Sequence, residues 1–275
     1  MKKLIVTAAL LLVTSPLYAA TLDGMKIHST STGKGSKTIV LVHGWTCDET
    51  SWAANVPELA KRYRVITLDL PGHGKSGAPK DGKVTMDMFA RAVEAVRAEQ
   101  KVDRIILAGH SMGTPVVSQY ARLYPQHVAA LVFVDGVVVA PAQDGRGVAT
   151  PLDPSKLLTA DGLALREGMI KGMFTPKTPK DVQEHVLKMM LAAPPATASS
   201  AMLTTFDQKY ANDAVMNVPV YGIFAEKSFA LGATGFLKKV FPTFEYVAMP
   251  GTGHFVMMEQ PREFDRLLIK FVESL

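Results

Sequence analysis

Ser111 stands in Gly109-His110-Ser111-Met112-Gly113, preceded by an apolar run and followed by an amphipathic stretch. That is the context a Gly-x-Ser-x-Gly nucleophile elbow requires. A tight strand-to-helix turn crowds the backbone on both sides of the serine, so glycine is needed two residues before and two after it. The turn lifts the hydroxyl above the sheet at a helix N-terminus, where backbone N–H groups and the dipole favour developing negative charge. A serine at a helix start can also be a simple N-cap; the paired glycines favour the nucleophile.

A serine hydroxyl is a weak nucleophile without a neighbouring base, and imidazole is the side chain suited to take and return a proton near neutrality. His254, in Gly251-Thr252-Gly253-His254-Phe255, follows the last strand-like run and precedes the final amphipathic stretch. It is therefore expected at the carboxyl edge of the sheet, where chemistry gathers in open α/β folds. His43-Gly44-Trp45 ends an earlier apolar run. A loop there can bring the Trp45 N–H toward the oxygen that the Met112 N–H also faces, forming an oxyanion hole. His43 is expected to shape that loop and to border the substrate together with His110 and Met173.

These residues need a scaffold, and the chain alternates strand-like and helix-like segments. Leu22–Ser29, Thr38–Val42, Arg64–Leu68, Arg104–Ala108 and Ala130–Val134 read as strands. The stretches near Trp52–Leu59, Met86–Gln100 and Met112–Tyr124 read as helices, the last with Val116, Val117, Tyr120 and Leu123 inward. From Val137 to about Asn217 the strand signals stop, and short Met-rich helical pieces separated by prolines suggest an inserted cap. The alternation resumes with Val218–Phe224, a helix ending near Val240, Phe244–Met249 and a last helix facing inward through Phe264, Leu267, Leu268 and Phe271. Such alternation implies a parallel sheet covered by helices on both faces. The organisation expected is a core over 21–136 and 218–275, with a helical cap over 137–217.

The ends and the composition exclude other classes. Lys2 and Lys3 precede the apolar run Leu4–Val13 and the small pair Ala19 and Ala20, the pattern of a secretory signal peptide over 1–20. The expected location is the periplasm or the exterior, with no membrane span in the mature chain. Removing that segment takes away two of the 30 basic residues and none of the 25 acids, leaving only a mild basic excess. No cluster of Lys and Arg points to nucleic acid. Gly72-His73-Gly74-Lys75-Ser76 ends like a phosphate loop, but Asp69 occupies the place of its first glycine. No metal-ligand spacing or cofactor fingerprint is present, so no cofactor and no metal are expected. Cys47, the lone cysteine, reads as a small buried thiol.

With the elbow, His43-Gly44, Asp69-Leu70-Pro71-Gly72-His73-Gly74-Lys75-Ser76 and Gly253-His254-Phe255 together, the chain resembles the α/β-hydrolase superfamily, in the group of microbial carboxylesterases, lipases and cofactor-free haloperoxidases. The resemblance covers nearly the whole mature chain. It implies a mostly parallel eight-stranded sheet with a variable cap between the family's sixth and seventh strands. A serine at the elbow argues against the dehalogenase and epoxide hydrolase relatives, which carry Asp there. Many relatives place the third member of the triad a few residues after the seventh strand, but here Ala225-Glu226-Lys227 is followed by Ser228, which cannot supply a charge. Two carboxylates remain as candidates, Asp135 at the end of the strand 24 residues after Ser111, and Glu226; a displaced or absent acid is the third possibility.

The expected activity is hydrolysis of small-molecule carboxylic esters through an acyl-enzyme on Ser111. Met169, Met173, Met189, Met190, Met202, Met257 and Met258 suggest an adaptable apolar acyl pocket. Two alternatives stand beside it: cleavage of amides, lactones or carbon–carbon bonds by the same triad, or a ligand-binding protein without catalysis on the same fold.

Overall fold

The computed structural model describes residues 20–136, 138–142 and 153–275. Residues 1–19 of the signal peptide expected over 1–20, Val137 and part of the Pro-rich connection lie outside these residues.

Nine strands are described: β1 Ala20–Leu22, β2 Met25–Ile27, β3 Ser29–Thr32, β4 Thr38–Val42, β5 Arg64–Leu68, β6 Ile105–His110, β7 Val128–Val134, β8 Val220–Ala225 and β9 Glu245–Met249. The helices are α1 Val56–Leu59, α2 Met86–Glu99, α3 Gly113–Leu123, α4 Gly162–Lys171, α5 Lys180–Ala192, α6 Pro195–Thr205, α7 Thr234–Val240, α8 Val256–Glu259 and α9 Pro261–Glu273. Apolar runs without alternation, such as Ile39–Val42 and Ile105–Ala108, suit strands covered on both faces, and β4 and β6 are buried at every position.

The main sheet has seven strands in the order β3-β5-β4-β6-β7-β8-β9, parallel throughout except for the β3–β5 pair. The eighth strand expected from the family is absent among the described residues. Its residues fold back instead, because Asp23 and Gly24 both take positive φ (50° and 80°) and close a two-residue hairpin that pairs β1 with β2 outside the main sheet. The Leu22–Ser29 segment, one strand by pattern, is thereby cut in three. The expected helix at Trp52–Leu59 is likewise broken into a 3-10 turn over Glu49–Trp52 and the short α1.

Helices α2 and α3 pack on each other, and Trp52, Phe89, Tyr120, Phe133 and Phe264 are fully buried. Burying each such side chain contributes on the order of 1.5–3 kcal/mol. Leu123, expected inward, is 43% exposed because α3 ends there and the chain turns off at Tyr124. Between β7 and β8 only helical elements are described, and Arg166 on α4 donates to the Leu191 and Ala193 carbonyls at the end of α5. Those carbonyls have no partner within their own helix, so the guanidinium joins two cap helices by closing one of them.

Asp265 on α9 is buried, accepts a hydrogen bond from Asn55 Nδ2 (2.9 Å), and has its carboxyl pushed up to about 7 by burial. A folded-state value above the unfolded one gives stability at low pH that is lost as pH rises from the ordinary carboxylate range of about 4 through about 7. Asp265→Asn should therefore raise the thermal midpoint at pH 8 and bring little change at pH 4, where the wild-type group is already neutral. The buried Asn55 Oδ1, which lacks a donor, gains one from the new amide. Melting curves across pH 4–8 check this; a midpoint difference that does not vary with pH would refute the assignment.

Candidate active site

Ser111 follows β6, Asp135 follows β7, His254 follows β9, and the Gly44-Trp45 turn follows β4, so parallel pairing delivers all four to one edge of the sheet. Ser111 has φ 52°, a conformation a non-glycine residue adopts only when its surroundings impose it. The surroundings do so. A Cβ on Gly109 would lie 2.2 Å from the Gly113 carbonyl oxygen, and one on Gly113 would lie 2.5 Å from that of Val42. Ser111 N–H donates to Val134 O (2.9 Å), and the Thr114 hydroxyl donates to Gly109 O (2.8 Å), tying the turn to β7 and to itself.

His254 Nδ1 lies 2.6 Å from Asp135 Oδ2, and the two side chains are 13% and 3% exposed. With Nδ1–H donated to the carboxylate, Nε2 keeps the lone pair that can take a proton from Ser111, which lines the same cavity. Burial works to raise the Asp135 carboxyl, but the hydrogen bond and charge of His254, the Ser228 hydroxyl and the Ala225 N–H (2.8 Å) together hold it below its ordinary value. Glu226, the other candidate acid, is exposed and accepts from Gly251 N–H at 3.3 Å, away from the imidazole. The structure thus sets Asp135 and not Glu226 against His254.

Two supporting residues were not legible in the sequence. Glu259 on α8 accepts from Gly253 N–H (2.8 Å) and Phe255 N–H (3.2 Å), clamping the backbone on both sides of His254, and receives the Thr178 hydroxyl (3.0 Å). Ser228, set aside by sequence because it carries no charge, accepts from Ala230 N–H (3.1 Å) and lies near enough to Asp135 for its hydroxyl to favour the ionised carboxylate. The nearest signal in the sequence was the position of Ser228, where many relatives carry the acid.

The backbone N–H groups of Trp45 and Met112 donate no hydrogen bond among the described residues. Both residues border the cavity beside Ser111, and the Trp45 indole is fixed by donating to Ala198 O (2.8 Å). The cavity holds about 400 Å³ and is walled by Met112, Met169, Met173, Phe174, Met202 and Phe206. Met189, Met190 and Met257 are buried elsewhere in the core, and Met258 is half-buried outside the cavity, so three of the seven methionines expected in the pocket reach it.

His43 and His110 do not border the substrate space; both are wholly buried beneath it. His43 Nε2 accepts from Leu70 N–H (2.9 Å), so its Nδ1–H donates to Gly44 O (2.8 Å), bracing the turn that presents Trp45. His110 Nε2–H donates to the carbonyl of His254 (3.0 Å), linking the elbow to the backbone of the imidazole it faces. Burial drives His43 down, and with the nearby His254 charge it pushes His110 to about 3, so both rings are neutral. Burial likewise raises the Cys47 thiol to about 12, which leaves no thiolate at neutral pH.

His28, Glu49 and Asp69 present ligand atoms within 4.8 Å of one another, away from the cavity. The Lys75 ammonium already sits 3.0 Å from Glu49 Oε1, and Asp69 receives the N–H groups of Glu49 (2.7 Å) and Lys75 (2.8 Å). The lysine supplies the positive charge this cluster needs.

Residues 37–171 match the family described as the alpha/beta hydrolase fold. The chain belongs to the α/β-hydrolase superfamily. It is 28% identical over 251 residues to the dihydrolipoyllysine-residue acetyltransferase component of an acetoin cleaving system from Pseudomonas putida, covering 88% of this chain and 65% of that protein. It is 34% identical over 148 residues to a 2-hydroxy-6-oxononadienedioate/2-hydroxy-6-oxononatrienedioate hydrolase from Paraburkholderia phymatum, covering 51% of this chain and 50% of that one. This α/β hydrolase thus spans between half and two-thirds of the length of these curated relatives. Among solved structures, a thermophilic esterase from Thermogutta terrifontis shares the fold, with a TM-score of 0.81 at 24% identity over 93% of this chain and 96% of that one.

Proposed function

We propose that this α/β hydrolase cleaves carboxylic esters with small or medium apolar acyl groups, through an acyl-enzyme on Ser111. The observation that carries the reading is Ser111, held at positive φ, in one apolar cavity with an imidazole whose Nδ1 is 2.6 Å from a buried carboxylate. In the first step Ser111 Oγ attacks the ester carbonyl carbon while His254 Nε2 takes its proton. The carbonyl oxygen becomes an oxyanion facing the free N–H groups of Trp45 and Met112. Asp135 stays ionised and stabilises the imidazolium. His254 then returns the proton to the departing alcohol, and a water activated by the same nitrogen releases the acid.

The size and apolar walls of the cavity favour an acyl chain of a few carbons over a long one or a polar one. The esterase neighbour fits this reading, and the dienedioate hydrolase relative supports a second one, in which the same three residues cleave a different bond. A panel of p-nitrophenyl esters of graded chain length tests the proposal. Specificity (kcat/KM) should peak between about C4 and C8, and each methylene lost from the best chain should cost several-fold, since a buried CH₂ contributes about 0.8 kcal/mol. A flat response, or none with folded protein, would count against ester cleavage.

Residues 1–20 support export, so we place the mature enzyme in the periplasm or outside the cell. Among the described residues no helix is long and apolar enough to cross a membrane. Cell fractionation with and without residues 1–20 checks the assignment.

A further inference from the structure

Of the described residues that border the cavity, only Asp135, His254 and Lys227 can carry a charge. Asp135 and His254 are committed to each other. Lys227 is exposed, and among the described residues it enters no ion pair. Its neighbour Glu226 does not neutralise it: that carboxylate turns to Gly251 N–H, and the Lys177 ammonium reaches the same glycine, 3.5 Å from where its Cβ would stand. The same wall includes Phe229, two residues on from Lys227 and itself 66% exposed, and the half-buried Phe206, with Ser228 next to the lysine in the chain. A cation with no ion pair among the described residues, on the exposed wall of an otherwise apolar cavity, is complementary to a ligand with an apolar body and an anionic end.

The geometry points to esters that carry a carboxylate remote from the scissile carbonyl, with Lys227 as the residue that selects them. This rests on the ester-cleaving reading above and adds the chemical class of its substrate. The carboxylate pairs with Lys227 at the mouth while the ester carbonyl lies at Ser111. The attraction is partly solvated, so its effect on specificity is several-fold rather than thousands-fold, and it weakens with added salt.

The test compares mono-4-nitrophenyl glutarate with its terminal carboxamide, and 4-carboxyphenyl butyrate with 4-carbamoylphenyl butyrate. The first pair places the charge on the acyl side and the second on the alcohol side. Wild type should prefer the anionic member of at least one pair through KM. Lys227→Met should lower that preference about three- to tenfold, Lys227→Glu should reverse it, and Lys227→Arg should retain it. In Lys227→Met and Lys227→Glu the neutral esters should lose less than the anionic ones, so that the ratio of the two reports the charge. An unchanged ratio in Lys227→Met, or an equal fall on charged and neutral esters, overturns the inference while leaving ester cleavage intact. If wild type turns over none of the four, ester cleavage is what fails. Calorimetric titration of the Ser111→Ala protein with glutaric acid monoanilide and its carboxamide then decides the charge selection alone. Tighter binding of the anion that is lost on adding Lys227→Met supports the selection, and an anion affinity unchanged by that substitution overturns it.

Discussion

Ser111→Ala should abolish covalent labelling by a fluorophosphonate probe and lower kcat on p-nitrophenyl butyrate by roughly 10⁴- to 10⁶-fold, because nucleophile, base and acid act as one unit. The substitution removes a single oxygen from a residue whose backbone is fixed by Val134 O and by close approaches at Gly109 and Gly113, so the fold should persist. Relief of the positive φ is small, since alanine is strained there as serine is. Intact-mass spectrometry reads the adduct, and a thermal midpoint within a few degrees of wild type certifies the fold. Labelling that survives in the variant would move the nucleophile elsewhere. A folded wild type that is never labelled would favour ligand binding without catalysis.

The second large effect concerns the acid. Asp135→Asn keeps the shape but removes the negative charge beside the imidazole, and its amide can present N–H toward Nδ1, which disfavours the tautomer that leaves Nε2 free. The expected loss in kcat is on the order of 10³- to 10⁴-fold, with KM little changed. Glu226→Gln should cost less than about tenfold, since that exposed carboxylate accepts from Gly251 N–H and, among the described residues, does not meet the imidazole. Ser228→Ala should fall between the two, because it removes a hydroxyl that helps hold the Asp135 carboxyl below its ordinary value and leaves the charge in place. The reverse ranking of Asp135 and Glu226 would reassign the acid, and two small losses would reduce the site to a serine–histidine pair.

Clamping the His254 loop is a task shared by groups distant in sequence. His110 comes from the elbow, Glu259 from the helix that follows, and Met173 O from the cap, where it accepts His254 N–H at 3.2 Å. The cap therefore does more than wall the cavity: a cap displaced from Met173 would release one anchor of the imidazole.

The sequence by itself determined the stations of Ser111 and His254 and the order of the elements that carry them. The glycines at 109 and 113 are demanded by backbone approaches within a few residues, and uninterrupted apolar runs are demanded by strands covered on both faces, so both signals are local. Tertiary structure alone decided which carboxylate meets His254, 119 residues away along the chain. Asp135 and Glu226 both end parallel strands, and the choice between them depends on the direction each side chain takes there. Asp135, at φ 43° with its N–H on Ile223 O, is turned back over the sheet, whereas Glu226 continues outward. The same reason separates the three expected methionines that reach the cavity from the four that pack elsewhere, and sends His43 and His110 beneath the site: periodicity gives the face of an element, and only packing between elements says what that face meets.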